Sequence, residues 1–191
     1  DEAAMVGSVA TQLGLPHRIL RWDGDKPTQG IQEAARNARY RLMSDYARAI
    51  GVRVIIAAHH ADDQLETMLM RLNRAAGVGG MAGIRPMRGR IARPLLGWRK
   101  AELIRLVEDH GIEAIDDPSN HDDRYDRARL RKSLGKATWL DPVAAVRSSI
   151  ALASADQALD WAAADYLSRR GAVAADIVSL DAKGLPHELL R

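Results

Sequence analysis

A β-branched apolar run that leads directly into a cluster of ionisable side chains constrains the fold of this chain more than any other feature. Residues 52–58 read Val-Arg-Val-Ile-Ile-Ala-Ala, which is typical of a parallel strand buried on both faces. Residues 59–67 read His-His-Ala-Asp-Asp-Gln-Leu-Glu-Thr, and apolar residues then recur at helical spacing as far as Leu72. The sequence therefore predicts two imidazoles and three carboxylates at the carboxyl end of a parallel strand, where open α/β sheets bind ligands.

Two signals define the helix that follows this strand. Asp63, with Glu66 three residues later, matches an acidic form of the capping box that opens helices, and Asp62 has a sufficient structural explanation as the N-cap. The pair Ala76-Gly77 predicts the end of the helix. Because the amino end of a helix dipole is positive, the junction between strand and helix favours anions.

The other patterns along the chain fit an α/β fold. We predict a helix over residues 1–13, a strand over 17–22, a long helix from Gln29 to Gly51, a helix over 98–110 and a long alanine-rich helix over 142–169. The order of strand, helix, strand and helix is a βαβ pattern, which implies a parallel sheet. The turn-forming run 116–120 predicts a loop.

Composition excludes several classes of site. The chain has no Cys, which excludes a disulfide framework, a thiolate metal site, an iron–sulfur cluster and a cysteine nucleophile. No apolar stretch approaches membrane-spanning length, so we expect a cytoplasmic protein without a membrane partner. Of the 28 Lys and Arg residues, nearly all are Arg, which suits bidentate phosphate contacts. The alternative is that these arginines only solvate exposed faces.

Four glycines fall within residues 77–83, which we predict to form a loop. Backbone amides freed by glycine can wrap an anion, so the segment is either a phosphate cradle or a flexible connection. It matches neither the dinucleotide fingerprint nor the Walker pattern.

Six motifs occur in a specific order. They are Ala-Arg-x-x-Arg-Tyr at 35–40, the ionisable run 59–67, Gly-Met-Ala-Gly-Ile at 80–84, Arg-Pro-Leu-Leu at 93–96, Asp-Pro-Ser-Asn at 117–120, and Arg-x-Arg-x-Arg at 127–131. In this order and spacing the chain resembles the tRNA(Ile)-lysidine synthetase family of PP-loop ATP pyrophosphatases. The resemblance implies an α/β fold with a doubly wound parallel sheet, similar to adenine-nucleotide hydrolases, followed by a helical extension. It divides the chain into a catalytic domain, 1–138, and a helical linker that begins a tRNA-binding domain, 139–191.

The resemblance also implies an activity. Family members adenylate the O2 of the wobble cytidine of tRNA(Ile) with ATP, and the lysine amine then attacks C2 and expels AMP. The implied cofactors are ATP and Mg²⁺, and the implied partners are L-lysine and tRNA(Ile) with a CAU anticodon. The resemblance also allows a homodimer.

Two departures from the family pattern stand out. The family's nucleotide loop, Ser-Gly-Gly-x-Asp-Ser, is absent, and we expect a chain that is clipped at both ends and does not hydrolyse ATP by itself. The second departure is Ala128, where the family pattern has Asn. This loses an amide and leaves the flanking arginines intact.

The implied chemistry and the motifs together select the site residues. An anionic triphosphate must meet a polynucleotide, so a divalent cation and guanidinium groups have to offset charge. We predict His60, Asp63, Glu66 and Arg127 as catalytic, with Asp63 also as the metal ligand. The residues predicted to bind the cofactor are Arg39, His59, Asp62, Arg93 and Arg131.

The spacing of these residues along predicted helices supports the roles. Asp63 and Glu66 lie one helical turn apart, and Arg127 and Arg131 share one helix face as a clamp for phosphate. His60 could hydrogen-bond a phosphate or shuttle a proton.

Two other functions compete with a ligase. One is a metal-dependent hydrolase in which His59, His60, Asp62 and Asp63 bind a metal directly, although adjacent residues rarely converge on one ion. The other is a non-catalytic tRNA-binding module. A PP-loop tRNA thiolase is disfavoured because such enzymes use cysteines.

Overall fold

The computed structural model describes residues 2–112, 126–174, 177–180 and 182–190. Within them the elements, in chain order, are α1 (Glu2–Gln12), α2 (Ile31–Ala49), β1 (Ile55–Ile56), α3 (Ala61–Leu72), α4 (Val78–Met81), β2 (Met87–Arg88), β3 (Ile91–Ala92), α5 (Lys100–Asp109), α6 (Asp126–Leu134), α7 (Pro142–Arg170), β4 (Gly171–Ala174) and β5 (Ile177–Leu180). Short 3-10 turns lie at Pro94–Gly97 and His187–Leu189. No helix in these ranges is both long and apolar enough to cross a membrane. The predicted loop 116–120 lies outside the described residues.

The chain forms two compact units that alternate along the sequence. Unit 1 comprises residues 1–60 and 86–124, and unit 2 comprises 61–85 and 125–191. Unit 1 contains α1, α2, α5 and strands β1 to β3, whereas unit 2 contains the other helices and the β4–β5 hairpin. These two units differ from the predicted domains, which meet at residue 138.

Unit 1 contains a small mixed sheet with the strand order β1-β3-β2. β1 is parallel to β3, with Ile55 opposite Ile91, and β2 is antiparallel to β3. β1 has a parallel partner, but that partner is β3; the predicted βαβ unit joined 52–58 to a strand over 17–22, which is not in this sheet. The small sheet does not form a doubly wound sheet within the described residues.

The predicted buried strand over 52–58 is wrong in its length and its burial. Only Ile55 and Ile56 are paired as a strand, and Ile56 is 70% exposed. Among the described strands β1 lies at the sheet edge and has one neighbour. A continuous apolar run indicates a strand but does not show how many neighbours it has.

The helices of unit 1 follow their sequence signals more closely than its strands do. α1 and α2 match the helices predicted over 1–13 and from Gln29, and Gly51 ends α2 in a left-handed conformation, with φ of 72°. The strand predicted over 17–22 is wrong, because that segment has no regular structure. Its Leu20 and Trp22 instead line a groove against α2.

Unit 2 is built around α3, which packs against α4, α6 and α7. Ala61, Gln64 and Leu65 are buried, and their spacing of three and four residues places them on one face of the helix. α3 begins at Ala61 and ends at Leu72, so the predicted end at 76–77 was four residues too late. The long helix predicted over 142–169 is confirmed as α7, whose N-cap Asp141 accepts a hydrogen bond from the Val143 N–H at 2.8 Å.

The glycine segment 77–83, predicted to be a loop, contains the short helix α4 and is held to α3. The fully buried Gln64 binds the backbone just after this segment. The Gln64 Oε1 accepts from the Ile84 N–H at 2.6 Å, and its Nε2 donates to the Ile84 carbonyl at 3.3 Å. Arg71 donates to the carbonyls of Gly80 and Gly83, at 2.5 and 3.0 Å. The N–H groups of Met81, Ala82 and Gly83 already donate to backbone carbonyls, so this part of the segment is not an anion cradle.

Replacing Gly83 with alanine should destabilise the protein more than the same change at Gly89. Both residues have positive φ, 65° and 57°, so a Cβ costs about 1 kcal/mol of backbone strain at each position. At Gly83 the Cβ would also lie 2.7 Å from the Gln64 amide, whereas nothing lies within 4 Å at Gly89. Such overpacking adds about 2 kcal/mol. Urea denaturation of the two variants measures the difference, and equal losses of stability would disprove the close fit.

Candidate functional site

The start of α3 brings the predicted acidic residues onto one helix. Since the helix begins at Ala61, Asp62 is its second residue, and the prediction that Asp62 is the N-cap is wrong. Asp63 and Glu66 lie one turn apart, as predicted. The sequence pattern located the helix start to within two residues, which is the usual precision of such patterns.

Glu66 is a buried carboxylate shared by two arginines of α6. Its side chain is only 5% exposed. The Arg127 Nε donates to one carboxylate oxygen at 2.7 Å, and the Arg131 Nε donates to the other at 2.6 Å. A buried carboxylate needs such partners because desolvation disfavours an isolated charge. Arg127 and Arg131 therefore do share one helix face, and that face meets α3.

Asp63 completes this arrangement. Its Oδ1 lies 3.6 Å from an Nη2 atom of both Arg127 and Arg131, and its side chain is 13% exposed. At this distance the attraction is between charges and is too long for a direct hydrogen bond. We call Asp63, Glu66, Arg127 and Arg131 the charge cluster.

The charge cluster holds Arg131 as a permanent cation. Burial, the largest single influence, lowers the pKa of Arg131, but the hydrogen bond to Glu66 and the charges of Glu66 and Asp63 outweigh it and raise the pKa above its usual value. A raised pKa means that this guanidinium stays protonated at every pH at which proteins work. Arg127 and Arg131 are 38% and 32% exposed, so part of each cation faces solvent, where it can meet an anionic ligand.

The charge cluster does not form a metal site from protein ligands alone. In the described ranges, no group of three or more His, Cys, Asp or Glu side chains could hold a metal ion. Both oxygens of Glu66 already accept hydrogen bonds from guanidinium groups. Asp63 still fits Mg²⁺ as a single carboxylate ligand, since Mg²⁺ in nucleotide sites takes one or two carboxylates and completes its shell with phosphates and water.

The remaining predicted site residues lie in unit 1, apart from Asp62. His59 and His60 follow β1, and Arg93 directly follows β3. Because β1 and β3 are parallel, these residues leave the sheet at the same edge, where open α/β sheets bind ligands. Arg93 is 7% exposed. Arg39 is exposed and lines the groove of about 190 Å³ between α2 and the segment that holds Trp22.

Sequence reasoning missed Gln64 and Arg71, which hold residues 80–84 against α3. Gln64 had a detectable signal, because it follows the buried Ala61 by three residues and precedes Leu65 on the same helical face. Arg71 had no such signal, since its partners are backbone carbonyls. Ala128 is buried in α6, and Arg127 and Arg131 both reach Glu66 with alanine at this position.

Comparison with known proteins identifies relatives of this chain. A family model of the PP-loop domain matches residues 1–138. The tRNA(Ile)-lysidine synthase of Novosphingobium aromaticivorans is 48% identical over 168 residues, which cover 84% of this chain and 51% of that protein. The synthase of Zymomonas mobilis is 35% identical over 199 residues, with 100% of this chain and 60% of the relative covered. That of Methylobacterium nodulans is 43% identical over 197 residues, with 96% and 57% covered.

The chain thus spans about half the length of the curated relatives it matches. The predicted resemblance is confirmed, and it extends beyond residue 138 into α7. Because the family model covers most of the sequence, the chain belongs to the PP-loop domain family.

Proposed function

We propose that the full-length protein attaches L-lysine to the wobble cytidine of a tRNA(Ile) with a CAU anticodon, using ATP. The observation that carries this proposal is the charge cluster, in a chain that is similar to proteins named tRNA(Ile)-lysidine synthase. Two carboxylates and two guanidinium groups in one place suit a reaction in which both phosphate and an amine must be held.

The proposed reaction has two steps. First the cytosine O2 attacks the α-phosphorus of ATP, and diphosphate leaves. The lysine amine then attacks C2, the bond between C2 and O2 breaks, and AMP leaves with that oxygen while the amine gives up a proton. Arg127 and Arg131 offset the negative charge that develops on phosphate, because fixed cations in a partly desolvated site stabilise such charge strongly.

The carboxylates have different tasks in this proposal. Glu66 fixes the two guanidinium groups, since each of its oxygens binds one of them. Asp63, at 3.6 Å from the same groups, is the carboxylate that would hold Mg²⁺ together with phosphate oxygens and water. When bound, the ion would neutralise part of the triphosphate charge.

The resemblance alone extends the proposal to the predicted site residues of unit 1 and to Asp62 of unit 2. His60, which precedes α3 directly, is the proposed proton carrier, and Arg39, His59, Asp62 and Arg93 are proposed to bind the nucleotide. The small sheet is proposed to be part of a doubly wound sheet, with the catalytic domain over 1–138 and a tRNA-binding part from 139. Since tRNA is the substrate, we propose a cytoplasmic location.

Release of AMP tests the function directly. The full-length protein, given ATP, lysine and tRNA(Ile), should release AMP only when lysine is present. A tRNA with uridine in place of the wobble cytidine is the matched control and should give no AMP. Lysine-independent binding of tRNA without AMP release would favour the non-catalytic tRNA-binding module instead.

A further inference from the structure

A groove between α3 and α6 adjoins the charge cluster and has no part in the function proposed so far. It encloses about 390 Å³ within unit 2. Its lining residues are Leu69, Met70, Asn73 and Arg74 from α3 and the turn after it, and Asp126, Arg129, Leu130 and Ser133 from α6. The volume falls within the range of small-molecule sites.

The lining of the groove divides into an apolar floor and a polar rim. Leu69, Met70 and Leu130 are partly buried and form the apolar part, whereas Arg74 and Arg129 are exposed. An apolar surface accepts the face of a planar base, and guanidinium groups bind the phosphates beside it. This combination is the chemistry of a single nucleotide.

The rim is positively charged but also contains an acceptor. The carboxylate of Asp126 lies 3.7 Å from Arg74 and pairs with Arg129, so the rim has one excess positive charge. Asp126, Asn73 and Ser133 offer polar groups that can read a base edge, as carboxylates accept from the exocyclic amine of cytosine.

The groove lies beside the charge cluster, because the same two helices form both. Leu69 and Met70 come one helical turn after Glu66 on α3, and Leu130 lies between Arg127 and Arg131 in the sequence of α6. A polynucleotide that presents one base to the charge cluster must place its neighbouring nucleotides nearby. The groove is a place of suitable size and chemistry for one of them.

We propose that this groove binds a nucleotide of the RNA substrate that neighbours the reacting cytidine. The proposal rests on the proposed function for the identity of the RNA, and on the groove itself for the site. It assigns Arg74 and Arg129 as phosphate-binding residues and the apolar floor as the surface on which the base lies.

Binding of a labelled tRNA(Ile) anticodon stem-loop to the full-length protein tests this site. Arg74→Ala and Arg129→Ala should each weaken binding by about tenfold, and each should lower the salt dependence by about 0.7 in log–log slope. The KM for ATP should not change. Asn73→Trp places an indole in the groove at an exposed position, so it should weaken stem-loop binding to a similar extent. The thermal unfolding midpoint of this variant shows whether it is folded.

Arg48→Ala is the matched control. Arg48 is a surface arginine of α2 that is 66% exposed and pairs with Asp45, three residues away, as Arg129 pairs with Asp126 on α6. Its loss should leave stem-loop binding within twofold of the wild type. Unchanged binding in all three groove variants, or an equal loss in the control, would overturn the proposal.

The same variants separate this proposal from the proposed function. If the wild type releases AMP in a lysine-dependent way and the groove variants bind the stem-loop normally, the proposed function is supported and the subsite is rejected. Weakened binding in those variants, with no AMP release by the wild type, would support the subsite and reject the function.

Discussion

Lysine-dependent AMP formation should almost disappear when Asp63 is replaced by asparagine in the full-length protein, while tRNA still binds. Asparagine has nearly the same shape, so the change mainly removes a negative charge that lies 3.6 Å from two guanidinium groups. It also removes the only carboxylate that we propose as a ligand of Mg²⁺. Loss of a charge at a reacting centre costs about 10²-fold or more in rate. Initial rates of AMP release, together with filter binding of tRNA, measure the two effects separately.

Asp45→Asn is the control for this prediction. Asp45 is also a carboxylate paired with an arginine, Arg48, but that pair is exposed and lies on α2. Its rate of AMP release should match the wild type. Unchanged AMP release by Asp63→Asn would remove Asp63 from the site, and loss of tRNA binding in that variant would point to a role in binding only.

The second large effect is expected at Glu66. Replacement by glutamine keeps the volume but leaves one acceptor oxygen for two arginine donors, and the new amide N–H₂ would face one guanidinium. Because the carboxylate is 5% exposed and accepts both Nε hydrogen bonds, the free energy of unfolding should fall by about 2 kcal/mol. The rate of AMP release should fall by about 10²-fold, since the guanidinium groups lose their common anchor.

Denaturation in urea and the AMP assay together test the role of Glu66. Glu108→Gln changes an exposed glutamate of α5 and should alter neither quantity. A stable Glu66→Gln variant with full activity would show that the arginines are held by other contacts. A stable variant with lost activity would show instead that Glu66 acts on the substrate and not through the arginines.

The helices of this protein were largely predictable, and the strands were not. α1, α2, α5 and α7 appear within a few residues of their predicted bounds, because helical periodicity and capping signals are local. The apolar run 52–58 correctly indicated a strand before the site residues. It did not show that only two of its residues pair as a strand. Strand pairing depends on neighbours that are distant in sequence, which no local pattern contains.

The contacts of the arginine side chains were also not predictable from local sequence. The preference for Arg over Lys suggested phosphate binding, yet Arg90 donates to the backbone carbonyls of Val52 and Arg53. Arg85 pairs with Asp156 at 2.7 Å. A guanidinium group serves a backbone carbonyl or a carboxylate as readily as a phosphate, so composition alone could not assign these side chains.

The sequence by itself determined the motifs, the helix that carries Asp63 and Glu66, and membership of the PP-loop family, because residue order and helical spacing are written in the chain. Only the tertiary structure decided that one buried carboxylate joins Arg127 and Arg131, which follow Glu66 by 61 and 65 residues. It also decided that Gln64 closes the glycine segment against α3. These contacts form between groups that are far apart along the chain, where desolvation makes each buried charge or amide require a partner.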